Sequence, residues 1–185
     1  MKRRDAVNSL LQNRKDLLLV AGLGSTAWDC TAAGDSPLTF PMWGAMGQAA
    51  MMGLGLALAQ PTRRVLVITG DGEALMGLGA LATIGVQKPP NLTVVVIDNE
   101  RYGETGMQQT HTAYGVDLEG VARSCGLKVF KFEDAGKAIH GADGPNFCVV
   151  KVEVEKIPLV LPPREGALLK ARFRRALLGE KADLE

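Results

Sequence analysis

A chain of 185 residues with 46% hydrophobic content is long enough for one domain with a sizeable core. A net charge of +1 excludes a strong general field for nucleic acid. The three cysteines, Cys30, Cys125 and Cys148, are widely spaced and form no CxxC or Cys/His metal pattern, which predicts a reduced, cytoplasmic setting.

In chain order, residues 1–16 are charged and mixed, with no apolar run resembling a signal peptide. Residues 3–13 read as a short amphipathic helix and 17–21 (LLLVA) as a strand. Gly22 and Gly24 make a turn, and Ser25 is placed to cap a helix ending near Gly34. Residues 38–41 read as a short strand. The segment 47–59 is apolar all round, but a membrane span needs roughly 20 such residues, so it reads as a buried helix or an interface helix. Residues 65–69 (VLVIT) form a strand, 73–86 a helix and 93–98 (TVVVID) a strand. Helices follow over 118–125, 134–141 and 168–178, with strands over 128–132 and 147–154. The strands are uniformly apolar, as strands covered on both faces are, and helices alternate with them. The prediction is an α/β fold, a doubly wound parallel sheet with helices on both faces, forming a single domain over 1–185 with a basic helical tail from about 164.

Ligands bind such sheets beyond the carboxyl ends of the strands. Two of those ends carry polar groups, Gly70-Asp71-Gly72 and Asp98-Asn99. Asp71 and Asn99 are 28 positions apart, room for one helix and a return strand, so neighbouring parallel strands would bring them to one sheet edge. Together with a following backbone carbonyl, they offer hard oxygen donors suited to Mg²⁺. Gly70 and Gly72 allow a diphosphate to approach the backbone, and the helix starting near Glu73 points free N–H groups at it. Taken alone, Asp-Gly is the commonest hairpin signal. Here a helical pattern follows it rather than a second strand.

Gly70-Asp71-Gly72, the interval and Asn99 resemble the fingerprint of thiamine diphosphate enzymes, in the domain that binds the diphosphate. The resemblance implies Asp71, Asn99 and the backbone carbonyl of Arg101 as ligands of Mg²⁺. The usual Asn-Asn doublet is here Asp98-Asn99. Trp43-Gly44-Ala45-Met46-Gly47 resembles a second family segment. It implies the Gly44 carbonyl as acceptor for the cofactor's amino group and Met46 as the apolar wedge that bends the cofactor. Gly70, Gly72, Glu73, Tyr102 and Gly103 complete the implied cofactor contacts. The run from Asp98 through Tyr102-Gly103-Glu104-Thr105-Gly106, with Gln109, Thr110, His111 and Thr112, resembles the sulfopyruvate and phosphonopyruvate decarboxylases. Their substrates are small 2-oxoacids with an anionic tail.

Gln108, Gln109, Thr110 and His111 are therefore candidates for the substrate side of the pocket, with His111 the one candidate catalytic side chain. The glutamate that activates thiamine diphosphate belongs, in this family, to a pyrimidine-binding domain. Glu73, Glu100 and Glu104 all fall near the diphosphate end, and the length leaves no room for a second domain. The expectation is a hetero-oligomer with a separate pyrimidine-binding subunit, with no nucleic acid and no membrane as partners. A carboligase of the acetolactate synthase type and a non-catalytic cofactor-binding subunit remain open. An oxoacid oxidoreductase subunit is disfavoured, because those commonly bring clustered iron–sulfur cysteines.

Overall fold

The computed structural model describes residues 1–141 and 143–183; residue 142 and the last two residues of the expected 1–185 domain lie outside the described residues. The chain opens with α1 (Arg3–Leu11), β1 (Leu18–Ala21), α2 (Ser25–Ala32) and β2 (Thr39–Pro41). It continues through α3 (Ala49–Ala59), β3 (Val65–Gly70), α4 (Asp71–Met76), α5 (Gly79–Gln87) and β4 (Leu92–Asp98). A two-residue pair follows, β5 (Arg101–Tyr102) and β6 (Gln108–Gln109), then α6 (Leu118–Ser124) and β7 (Lys128–Val129). The last elements are α7 (Ala135–His140), β8 (Asn146–Lys151) and α8 (Gly166–Leu178).

Six strands form one parallel sheet in the order β2-β1-β3-β4-β8-β7. Its strands are apolar on both faces because both are covered. Leu18, Val20, Val65, Val67, Val94 and Val96 face one core cluster with α3, α5 and α6. Leu19, Ala21, Leu66, Ile68, Val95 and Ile97 face the other, with α1, α2 and α7. The predicted doubly wound architecture is the one observed. From β1 the chain winds one way to β2 and the other way through β3 and β4. The switch of direction lies between β1 and β3, where such sheets open a crevice. β3 and β4 pair in register with Gly70 opposite Ile97, so Asp71 and Asn99 leave adjacent strand ends as expected.

Four local expectations change. Ser25 does not cap α2; Gly24 holds the cap position without a side-chain bond, and Thr26 ties the turn by donating to the Gly22 carbonyl at 2.7 Å. The helix expected over 73–86 is two helices, broken around Gly77 because Gly77 packs directly on the Gly47 backbone. The segment 47–59 is not buried all round: Gly53, Leu54 and Ala57 face the core, while Met51, Met52 and Leu58 are 36%, 39% and 50% exposed. Helical symmetry sets this, since a uniformly apolar helix on one face of a sheet must turn its other side outward. The strand expected over 128–132 is only Lys128–Val129.

The basic tail docks rather than standing free. Phe173 of α8 meets Phe40 of β2 edge-on at 5.7 Å, and Arg172 pairs with Asp35 at 2.5 and 3.1 Å. Upstream, Trp43 donates its ring N–H to the Pro163 carbonyl at 2.8 Å, and the Arg164 guanidinium lies over the Trp43 ring. Among the described residues, no helix is long and apolar enough to cross a membrane.

Candidate cofactor site

The carboxyl ends of β1, β3 and β4 enclose a cavity of about 160 Å³. Asp71 and Asn99 both line it, with Gly70, Gly72, Glu73, Met46, Arg101, Tyr102 and Gly103. Apolar strands end here because the next residues are polar and must reach either solvent or each other.

Asp71 is 2% exposed. Its Oδ2 accepts from the Thr110 hydroxyl at 2.5 Å, and Thr110 and Thr112 are themselves 2.9 Å apart. Burial pushes the Asp71 carboxyl above its usual range. The Thr110 hydroxyl opposes that shift, the nearby Asp98 charge adds to it, and the backbone N–H groups of Asp71 and Asn99 oppose it. A cation on this side of the cavity would relieve the same penalty.

Asp98 stands where the fingerprint has its first Asn, and a buried second carboxylate needs compensation. Lys151 at the end of β8 supplies it, with Nζ 2.9 Å from Oδ2, while Thr112 and the backbone N–H of Glu100 donate to Oδ1 at 2.9 and 3.0 Å. The exchange of Asn for Asp is thus balanced within the chain, and Asp98 faces Lys151 rather than competing for a cavity ligand. Asn99 Oδ1 accepts from the backbone N–H of Arg101 at 3.0 Å, which folds the chain tightly after β4.

Glu73 occupies a position different from a simple helix start. Its Oε2 accepts from the Leu23 backbone N–H at 3.0 Å and from the Thr69 hydroxyl at 2.7 Å, tying the β1 turn to β3. Among the described residues its other oxygen, Oε1, makes no close hydrogen bond, although the backbone N–H groups of Gly47 and Ala49 are near enough to favour the charged form. A Cβ at Gly22 would lie 2.0 Å from Glu73 Oε2, so a larger residue there would displace the Glu73 carboxylate from the β1 turn. Gly72 is required by the Tyr102 ring, which a Cβ would meet at 2.5 Å.

Thr110, expected near the substrate, is instead fully buried beneath Asp71. The β5–β6 pair sets Arg101 opposite Gln109, and the Thr110 N–H returns to the Glu100 carbonyl at 3.1 Å. Gln108 and Gln109 are both exposed, whereas Thr110 is buried. Gln109 is exposed and accepts from the Tyr114 hydroxyl at 2.9 Å. His111 is exposed, and neither it nor Gln109 lines the cavity. Gly44 is exposed and also lies off the cavity wall.

Sequence reasoning missed Arg3, Leu23, Ser25 and Thr26, which line the same cavity; Glu104, expected near the diphosphate end, lines it too, with Thr105 beside it. The glycine turn at 22–24 was the available signal, since a β1 neighbouring β3 must present its turn to the same crevice. Replacing Thr110 with valine, which keeps the shape and removes the donor, is expected to cost roughly 1–3 kcal/mol. Chemical denaturation checks this; an unchanged midpoint would show that Asp71 does not depend on Thr110.

A hard-oxygen donor set of one carboxylate, one amide and one carbonyl suits Mg²⁺, which takes few protein ligands and completes its shell with phosphate and water. Above Gly70 a Cβ would meet nothing within 4 Å, which leaves space against the backbone. The residues therefore fit a divalent cation bridging to a diphosphate.

The fold and cavity define a cofactor domain of a known class. Residues 24–152 match the family described as thiamine pyrophosphate enzyme, C-terminal TPP binding domain, and the chain belongs to that family. Among its relatives, the beta subunit of sulfopyruvate decarboxylase from Methanothermobacter thermautotrophicus is 36% identical over 185 residues, covering 99% of this chain and 99% of that subunit. Phosphonopyruvate decarboxylase from Streptomyces hygroscopicus is 41% identical over 157 residues, covering 81% of this chain but 36% of that longer protein. The X-ray structure of a putative thiamin diphosphate-dependent enzyme from Mycobacterium smegmatis shares the fold with a TM-score of 0.68 at 24% identity, over 84% of this chain and 32% of that one.

Proposed function

We propose that the chain is the diphosphate-binding subunit of a thiamine diphosphate- and Mg²⁺-dependent decarboxylase of small 2-oxoacids with an anionic tail, sulfopyruvate or phosphonopyruvate in kind. It forms a single diphosphate-type domain with a docked C-terminal helix and works with a separate pyrimidine-binding subunit in the cytoplasm. The observation that carries this reading is the convergence of Asp71 and Asn99, from adjacent strand ends, on one cavity. The match over 99% of a beta subunit supports a separate partner chain.

Thiamine diphosphate, when bound, supplies the electron sink that lets a 2-oxoacid lose CO₂. The chain's own residues bind and orient. Asp71, Asn99 and the Arg101 carbonyl would hold Mg²⁺, with Thr110 and Thr112 keeping the Asp71 carboxylate aimed. Gly70, Gly72, Tyr102 and Gly103 would border the diphosphate, and Met46 would support the apolar middle of the cofactor. For Gly44 the assignment rests on the family segment alone, since it is off the cavity wall. Glu73 is engaged with Thr69 and Leu23, and Glu100 with Lys151 at 2.6 Å, so neither is free to serve as the proton-shuttling carboxylate. That group would come from the partner. The exposed Met51, Met52 and Leu58 offer an apolar surface for such a subunit.

Co-purification with a pyrimidine-domain chain, followed by assay on sulfopyruvate, phosphonopyruvate and pyruvate, tests the reading. CO₂ and an aldehyde are expected from a substrate with an anionic tail. A carbon–carbon coupled product from pyruvate would favour the carboligase instead. Cofactor binding without turnover on any 2-oxoacid would favour a non-catalytic subunit.

A further inference from the structure

α1 lies outside residues 24–152, the part that matches the cofactor-domain family. Its first residue, Arg3, nevertheless lines the candidate diphosphate cavity, beside Ser25 and Thr26. The Arg3 side chain is only 9% exposed. Its Nε donates to the Asp29 carboxylate in α2, a group with no solvent exposure. Asp29 also takes Arg4, whose Nε and Nη2 both lie 3.1 Å from Oδ1. Two guanidinium groups thus share one buried carboxylate, leaving one positive charge in excess. Among the described residues, Nη1 and Nη2 of Arg3 make no hydrogen bond, so Asp29 fixes the fork while its outer donors stay available. Glu155 accepts the Arg3 backbone N–H at 3.0 Å and does not engage the guanidinium.

The excess charge sits at the start of α2, where Gly24 caps the helix with φ +75° and no side-chain acceptor. A carboxylate already rests there: Glu104 packs against Gly24, where a Cβ would come within 2.8 Å of its Oε1. Burial raises the Glu104 carboxyl, and the Arg3 charge pulls it back down. Glu104 therefore fills the space beside the α2 start and the Arg3 guanidinium, while its net shift favours the neutral form, so it can give way to a stronger anion.

We propose that Arg3 is a diphosphate-binding residue: a guanidinium supplied from outside the shared cofactor domain, locked by Asp29, that takes up the cofactor's negative charge as Glu104 is displaced. This rests on the assignment of the cavity to the diphosphate. Asp29 and Arg4 then act as positioning residues. The role suits arginine over lysine, because one edge of a planar fork can hold Asp29 while the other faces phosphate oxygens.

Calorimetric titration of the full chain with inorganic pyrophosphate in saturating Mg²⁺ tests the proposal. Arg3→Met is expected to weaken binding about tenfold or more, and Arg3→Lys by a smaller factor. Because Arg3→Met leaves the buried Asp29 Oδ2 without its donor, Arg3→Met combined with Asp29→Asn, which removes the carboxylate charge as well, serves as the control and is expected to show the same loss. Wild-type binding with undiminished affinity in Arg3→Lys and in the double variant would overturn the role of Arg3. Absence of pyrophosphate binding by the wild type would instead overturn the cavity assignment itself.

Discussion

Replacing Asp71 with alanine is expected to lower Mg²⁺-dependent thiamine diphosphate affinity by more than about a hundredfold, a loss of roughly 3 kcal/mol or more. Mg²⁺ keeps water and phosphate oxygens as most of its ligands and relies on one or two protein carboxylates for charge. Asp71 is the carboxylate at the β3 end that lines the cavity with Asn99, and Asp98 is already neutralised by Lys151. Burial alone disfavours the charged form of Asp71. Its removal should therefore leave the metal-free fold little weakened, apart from the Thr110 and Thr112 hydroxyls losing their acceptor. The two readouts separate: calorimetry should register the collapse of binding, while the unliganded protein should still unfold cooperatively with a stability loss no larger than that of Thr110→Val. Asp71→Asn, which keeps an oxygen for Thr110 but no charge, should behave almost as badly in binding. Chelation of Mg²⁺ in the wild type should have the same effect. Full affinity in Asp71→Ala would remove the basis of the proposed function.

Gly77→Ala is expected to be among the most damaging single-methyl changes in the chain. A Cβ at Gly77 would lie 2.0 Å from the Gly47 carbonyl oxygen and 2.8 Å from its carbon. Both obstacles are backbone, so no rotamer change relieves them. In return, a Cβ at Gly47 would meet the Gly77 nitrogen at 3.0 Å, and Gly47 also has φ +89°. The two glycines bring the break between α4 and α5 directly against the turn that carries Met46. Separating them should cost about 1–3 kcal/mol or more, a fall of several degrees in Tm for a chain of this size. It should also shift Met46 from the cavity wall and weaken cofactor binding in parallel. Gly55→Ala makes the contrast: it is helical and exposed, with nothing within 4 Å of a new Cβ, and should be neutral or gain about 0.4–1 kcal/mol. Equal melting temperatures for Gly77→Ala and wild type would show that the close packing is not needed.

Much of the fold was legible because burial on both faces writes itself into the strands as unbroken runs such as VLVIT and TVVVID. The candidate metal ligands were legible for a related reason. A polar residue ending such a run has no core to join, and a parallel sheet gathers those ends on one edge. The break at Gly77 was not legible, since both halves keep a helical pattern and the cause is the Gly47 backbone, distant in sequence. The exposure of Met51, Met52 and Leu58 was hidden for the opposite reason: an apolar helix carries no pattern that says which side meets the sheet.

What the amino-acid order determined by itself was the set of local conformations and the chemistry at each strand end: an α/β alternation, an Asp after β3, an Asn after β4 and glycines where the backbone must be approached. Tertiary structure decided which side chains serve that chemistry. It turned Thr110 under Asp71 through the short β5–β6 pair, spent Glu73 on the β1 turn, balanced Asp98 with Lys151 from a strand 53 residues later, and brought Arg3 from the first helix to the cavity. The physical reason is range. Periodicity and turn chemistry act over a few residues, whereas hydrogen bonds and ion pairs between buried groups form only once packing has joined distant segments and removed water from between them.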